Sequence, residues 1–117
     1  MKKYFLMFCL MSFMLQAAKT INIIPQPVSV TQKKGQFQFN KKTSITGKNK
    51  KQNQFFSELL APAFGRKLKL SKTQKTNAII CTIDKSLLTK FGKEAYTLNV
   101  SKEKISISAS SDAGIFY

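Results

Sequence analysis

Two pairs of alternating segments joined by turns, one mid-chain stretch of helical period and a second helix start near the carboxyl end make this chain an α+β domain. The expected architecture is a mostly antiparallel sheet with helices packed on one face, a two-layer sandwich. Three observations carry it. Tyr96, Leu98 and Val100 alternate with Thr97, Asn99 and Ser101, and Ile105, Ile107 and Ala109 alternate with Ser106 and Ser108, the period of half-buried strands. Phe55, Phe56, Leu59, Leu60 and Phe64 recur at helical spacing. Ser111 or Asp112 offers an N-cap oxygen ahead of Gly114, Ile115, Phe116 and Tyr117, which begin an apolar helix face that is not completed.

In chain order, residues 1–17 read as a secretory signal: Lys2 and Lys3 are the charged start, Tyr4 to Leu15 the apolar run, and Ala17 or Ala18 the cleavage end. The run is too short to cross a bilayer as a stable anchor. Cys9 lies behind Phe8, where a lipidation site requires a small residue. Residues 18–117 are then one small domain. Thr20 to Ile24 leads into Pro25-Gln26-Pro27, which favours an extended edge strand because proline cannot donate into a ladder. A turn at Lys33-Lys34-Gly35 sets Val30 against Phe37 and Val28 against Phe39, a first hairpin with one apolar face. Thr43 to Thr46 is a further short strand ending at Gly47.

Lys48 to Gln54 is polar and basic and reads as a connector. The helix that follows is capped by Gly65, and Pro62 inside it predicts a kink or an early end near Ala61. Its aromatic and aliphatic residues are read as core. Leu68 and Leu70 mark a short strand, Ser71 to Asn77 a loop, and Ala78 to Ile83 an interior strand, nearly continuous in apolar residues. Asp84 to Gly92 is a connector with a helical turn. In the last hairpin a turn about Lys102 and Glu103 pairs Val100 with Ile105, Leu98 with Ile107 and Tyr96 with Ala109. Neither turn residue takes positive φ cheaply, so a four-residue loop around a type I turn is expected in that register.

Composition excludes most chemistry. There is no histidine, hence no Ser-His-Asp triad, Cys-His pair or imidazole metal site. Past the signal the carboxylates are Glu58, Asp84, Glu94, Glu103 and Asp112, and no two share a helix or strand face as a glycosidase pair requires. The glycines stand singly, without a phosphate-cradling loop. Cys81 is the one cysteine after residue 17, so no internal disulfide forms there, and its apolar neighbours mark it as buried and inert. No catalytic, cofactor or metal residue is assigned.

Lys and Arg number 20 against 5 Asp and Glu; setting aside Lys2 and Lys3 leaves 18 against 5, a net charge of +13. The lysines are spread through every loop, Arg66 is the single arginine and there is no tryptophan, so the base-stacking platform of a nucleic-acid binder is lacking. A solvated lysine surface is the plain reading.

The segments Ile23 to Val30 (IIPQPVSV), Glu94 to Val100 (EAYTLNV) and Ile105 to Tyr117 (ISISASSDAGIFY) resemble, in order and spacing, the N-terminal non-catalytic domain of bacterial β-N-acetylhexosaminidases of glycoside hydrolase family 20. The match covers nearly all of the chain after residue 20. The resemblance implies a two-layer domain placed before a (β/α)8 catalytic barrel, with the terminal helix leading into that barrel. The family's catalytic Asp-Glu pair sits in a His-x-Gly-Gly-Asp-Glu motif that this chain lacks, so no catalytic role transfers to any residue here. The reading is therefore an exported accessory domain, inactive alone, whose partner is the catalytic barrel of a longer parent chain that removes terminal N-acetylhexosamine from glycans. The alternative is a free-standing exported module for glycans or anionic polymers, on the strength of the charge.

Overall fold

The computed structural model describes residues 21–117. The signal segment, Cys9 and the cleavage point at Ala17 or Ala18 lie outside the described residues. Residues 21–32 belong to one unit and carry no helix or strand, whereas Lys33–Tyr117 form a second unit that holds every element. The elements are β1 (Ser44–Gly47), α1 (Lys50–Phe64), β2 (Lys69–Ser71), β3 (Ala78–Ile83), α2 (Ser86–Phe91), β4 (Tyr96–Val100), β5 (Lys104–Ala109) and α3 (Asp112–Phe116).

The five strands form one sheet in the order β2-β1-β3-β5-β4. Three of its four pairings are parallel, and only β4 with β5 is antiparallel. The sheet is thus mixed rather than mostly antiparallel. Alternation reports which residues share a face, not which way neighbouring strands run, and two crossovers reverse the expectation. The first is α1, which returns the chain from β1 to β2. The second is the short loop 72–77, which passes back over β1 to reach β3. Thr46 Oγ1 donates to Gln74 O at 3.1 Å, which places this loop on the face of β1 opposite Ile45. Direction and face reverse together, so both crossovers have the same hand, as parallel connections require.

Ile45, Ile79 and Ile105 lie in register across three strands, and Cys81, Ile107 and Leu98 form the next row. The buried cluster on this face is Ile45, Leu68, Ile79, Cys81, Ala109 and Ile115, with Phe56, Leu60 and Phe64 of α1 packed against it. Helices α1 and α3 therefore share one face. Full burial of each large aliphatic side chain contributes about 1.5–3 kcal/mol.

Helix α1 begins earlier than its apolar pattern, because Asn49 caps it and accepts from Gln52 N at 3.2 Å. Its inner face mixes apolar with polar groups: Asn53 Nδ2 donates to Gly47 O (2.9 Å) and Ser57 Oγ to Leu68 O (2.7 Å). Phe55 and Leu59, expected in the core, lie on the outer side at 42% and 59% exposure. The helix does not end near Ala61. It runs through Pro62 to Phe64 and closes on Gly65 in the left-handed conformation, φ 66°. The donor that proline lacks would have served the carbonyl of exposed Glu58, which water can reach.

The first expected hairpin is not formed: neither Val28–Val30 nor Phe37–Phe39 is a strand, nor is the Pro25–Pro27 segment. The two phenylalanines are engaged otherwise. Phe39 stacks on Phe64 of α1 with centroids 4.5 Å apart, and Phe37 meets Phe39 edge-on at 4.9 Å. The last hairpin has the expected register, Val100 with Ile105, Leu98 with Ile107 and Tyr96 with Ala109. Its turn avoids positive φ at Lys102 and Glu103. Ser101 Oγ instead accepts from the amides of Glu103 and Lys104 at 3.3 and 3.1 Å.

α3 starts at Ser111, whose Oγ accepts from Gly114 N. A Cβ on Gly114 would lie 2.6 Å from Ala95 O and 3.1 Å from Ala109 Cβ. Helix propensity alone favours alanine over glycine by about 1 kcal/mol, but here the backbone of Ala95 blocks it. Gly114→Ala is expected to destabilise the domain by about 1–3 kcal/mol through overpacking, read as a lower denaturant midpoint at unchanged slope; an unchanged or raised midpoint would show that α3 does not sit this close.

Candidate functional site

The five carboxylates are dispersed. Glu58, on α1, pairs with Lys67 Nζ at 3.0 Å with both side chains well exposed, and the Lys67 hydrogen bond, helped by Gln54, holds its pKa below the usual value. Asp84 accepts from Ser86 Oγ (2.7 Å) and Ser86 N (2.9 Å) at the start of α2, and these bonds lower its pKa likewise. Glu94 precedes β4, Glu103 lies in the β4–β5 turn and Asp112 opens α3. Among the described residues no three His, Cys, Asp or Glu side chains gather as a metal ion would require.

Two other features could meet a partner molecule. The first is an aromatic patch. Phe55 stacks on Phe116 with centroids 5.5 Å apart and planes 33° from parallel, and Phe116 meets Tyr117 edge-on at 6.0 Å. Phe116 and Tyr117 are 59% and 61% exposed, and Leu59 adjoins one helical turn beyond Phe55. Together they form a contiguous exposed aromatic patch on the α1 and α3 side of the domain.

The second is a cleft of about 940 Å³ at the carboxyl ends of β1, β2 and β3, closed on one side by the N-terminus of α1. Its wall includes Lys48, Lys50 and Lys72, the apolar Leu70, Ile83 and Ile115, and one acid, Asp112. Cys81 also lines it from the sheet, 6% exposed, and burial pushes its thiol up to about 11. At neutral pH it is a protonated thiol, not a nucleophile.

Two of the segments that carry the family resemblance, Glu94 to Val100 and Ile105 to Tyr117, meet at the start of α3. Ser110 N, at the end of β5, donates to Ala95 O at 2.9 Å, and Gly114 of α3 passes directly beneath that carbonyl. Ser110 and Ser111 hydroxyls both donate to Lys93 O, at 2.8 and 2.5 Å. The Glu94-Ala95-Tyr96 stretch is thus the seat on which α3 rests. Sequence reasoning found these residues by their order but missed the cleft, whose members come from five separated elements.

The fold is that of a small α+β domain built on one open five-stranded mixed sheet. Residues 20–117 match the model of glycosyl hydrolase family 20, domain 2, and the chain belongs to that family as its N-terminal non-catalytic domain. Among curated proteins none matches the chain.

The Cys81 environment gives a pH dependence. Because the folded pKa lies above that of the unfolded thiol, the native state holds the proton longer. This contribution is intact below the unfolded value near 8.5 and is lost as pH rises towards 11. The stability gap between the native chain and Cys81→Ala is expected to narrow by on the order of 2 kcal/mol between pH 8 and 11, followed by urea denaturation; a gap constant with pH would overturn it.

Proposed function

We propose that the domain is the exported accessory domain of a β-N-acetylhexosaminidase, and that its aromatic patch is the face on which the parent's catalytic barrel rests. The observation that carries the reading is the Phe55–Phe116–Tyr117 cluster, three rings left open to solvent where the outer side of α1 meets the end of α3. A domain with no use for this surface would hide it or make it polar. Membership of family 20 supports the identity of the partner. The role is structural: α3, clamped to Lys93 and Ala95, fixes where the following chain departs. The charged start and apolar run of residues 1–17 support export before cleavage. The parent's substrate is a glycan ending in N-acetylhexosamine, and hydrolysis belongs wholly to the barrel.

The reading frame is expected to continue past Tyr117 into a segment with His-x-Gly-Gly-Asp-Glu, and its full product to hydrolyse aryl N-acetyl-β-glucosaminides while the 117-residue chain shows none. Turnover by the short chain, or a stop codon after Tyr117, overturns the proposal. In the full product, Phe55→Ala with Phe116→Ala is expected to cost about 2–4 kcal/mol of stability by removing buried aromatic contact. In the short chain, where these rings are half in water, the loss is expected to be under half of that. Equal losses in both forms would show that nothing covers the patch.

A further inference from the structure

We propose that the cleft at the carboxyl ends of β1 and β3 binds a small anionic sugar, one bearing a carboxylate or a phosphate. This goes beyond the accessory role and rests only on the geometry of this domain. The connections after β1 and β3 leave in opposite directions, α1 towards β2 and α2 towards β4, so a crevice opens between the two strand ends. Open sheets with parallel neighbours receive ligands at that point.

The groups around the crevice fit one chemistry. α1, a helix of 15 residues, presents its N-terminus there, and among the described residues the amides of Lys50 and Lys51 donate to no acceptor. Such an end attracts an anion. Lys48, Lys50 and Lys72 stand on the wall against the single carboxylate of Asp112. The independent sign is Asn53. Its side chain lines the cleft and is 4% exposed; Nδ2 is held by Gly47 O, yet Oδ1 has no hydrogen-bond partner. Gly47 has no Cβ in its way, for a Cβ there would lie 2.7 Å from that oxygen. A buried acceptor without a partner costs about 1–3 kcal/mol, and a hydroxyl or amide N–H from a ligand would relieve it. Inorganic phosphate carries its P–OH on the charged centre itself, whereas a sugar acid or sugar phosphate holds hydroxyl donors several bonds away from the anion, so that one end can meet the helix terminus while another meets Asn53. Ile83 and Ile115 offer the C–H face of a pyranose an apolar floor.

The test is an amide-resolved NMR titration of the full chain with glucuronate and with glucose 6-phosphate, beside inorganic phosphate and neutral N-acetylglucosamine. Saturable shifts at Lys50, Lys51, Asn53 and Cys81 are expected for either or both charged sugars, at least about tenfold tighter than for phosphate or the neutral sugar, since charge and donor act together. The two charged probes distinguish a carboxylate from a phosphate ligand. Lys50→Glu with Lys72→Glu should weaken binding by about tenfold or more, and Lys33→Glu with Lys34→Glu, the same change of net charge off the cleft wall, by less than about twofold. Inorganic phosphate binding as tightly as the charged sugars, equal losses in the two double variants, or no saturable shift in any titration each overturns the proposal.

Discussion

The hydrogen bond from Thr46 Oγ1 to Gln74 O fastens a six-residue loop, 72–77, to the sheet, and the parallel arrangement depends on that loop. A parallel crossover ordinarily takes a dozen residues or more. Here β2 is three residues long and β1 four, so six residues suffice to bring the chain back to the starting end. The loop is clamped at its far end as well. Gln74 Nε2 lies within 3.1 Å of the carbonyls of Lys42, Thr76 and Asn77. Asn77, at φ 50°, joins three parts of the domain: its side chain takes the Thr43 hydroxyl and gives to Asn40, and its amide gives to Glu103 O. Remove this arrangement and β3, the middle strand, loses its start.

Polar fastening is the rule throughout this domain. Its buried apolar cluster is small, and both helices on that face are pinned by side-chain hydrogen bonds to strand ends or connectors: α1 through Asn53 and Ser57, the α3 start through Ser110 and Ser111. Such bonds add about 1 kcal/mol each but specify position sharply. The position they specify is what an accessory domain supplies. On the proposed reading, the elements facing the barrel need fixed places more than they need a large interior of their own.

Sequence pattern gave the face of each residue and, where a short turn limited the choices, the partner. Tyr96 to Ala109 was legible for this reason: period two, a turn at Lys102-Glu103 and an apolar row allow one register. Strand direction was not legible, because Ile45, Ile79 and Ile105 alternate in the same way whether their strands run together or apart. The paired phenylalanines at 37 and 39 imitate a strand, yet their contact is the ring of Phe64. On α1 the helical spacing was right but its inner face was rotated: Asn53 and Ser57 turn inward while Phe55 and Leu59 turn out. Asn49, an N-cap residue followed by residues able to continue a helix, was the available sign that α1 begins at Lys50. No comparable sign marks the cleft, since a crevice between strand ends exists only once the strand order is known.

β5 lies between a parallel neighbour and an antiparallel one, and α3 follows it after two residues, held by the Lys93 and Ala95 carbonyls. A pull delivered along β5 through α3 meets both ladders lengthwise. Their hydrogen bonds lie across that direction, so many must yield at once rather than one after another. A load applied at α3 is therefore borne by the middle of the sheet instead of peeling a strand from its edge.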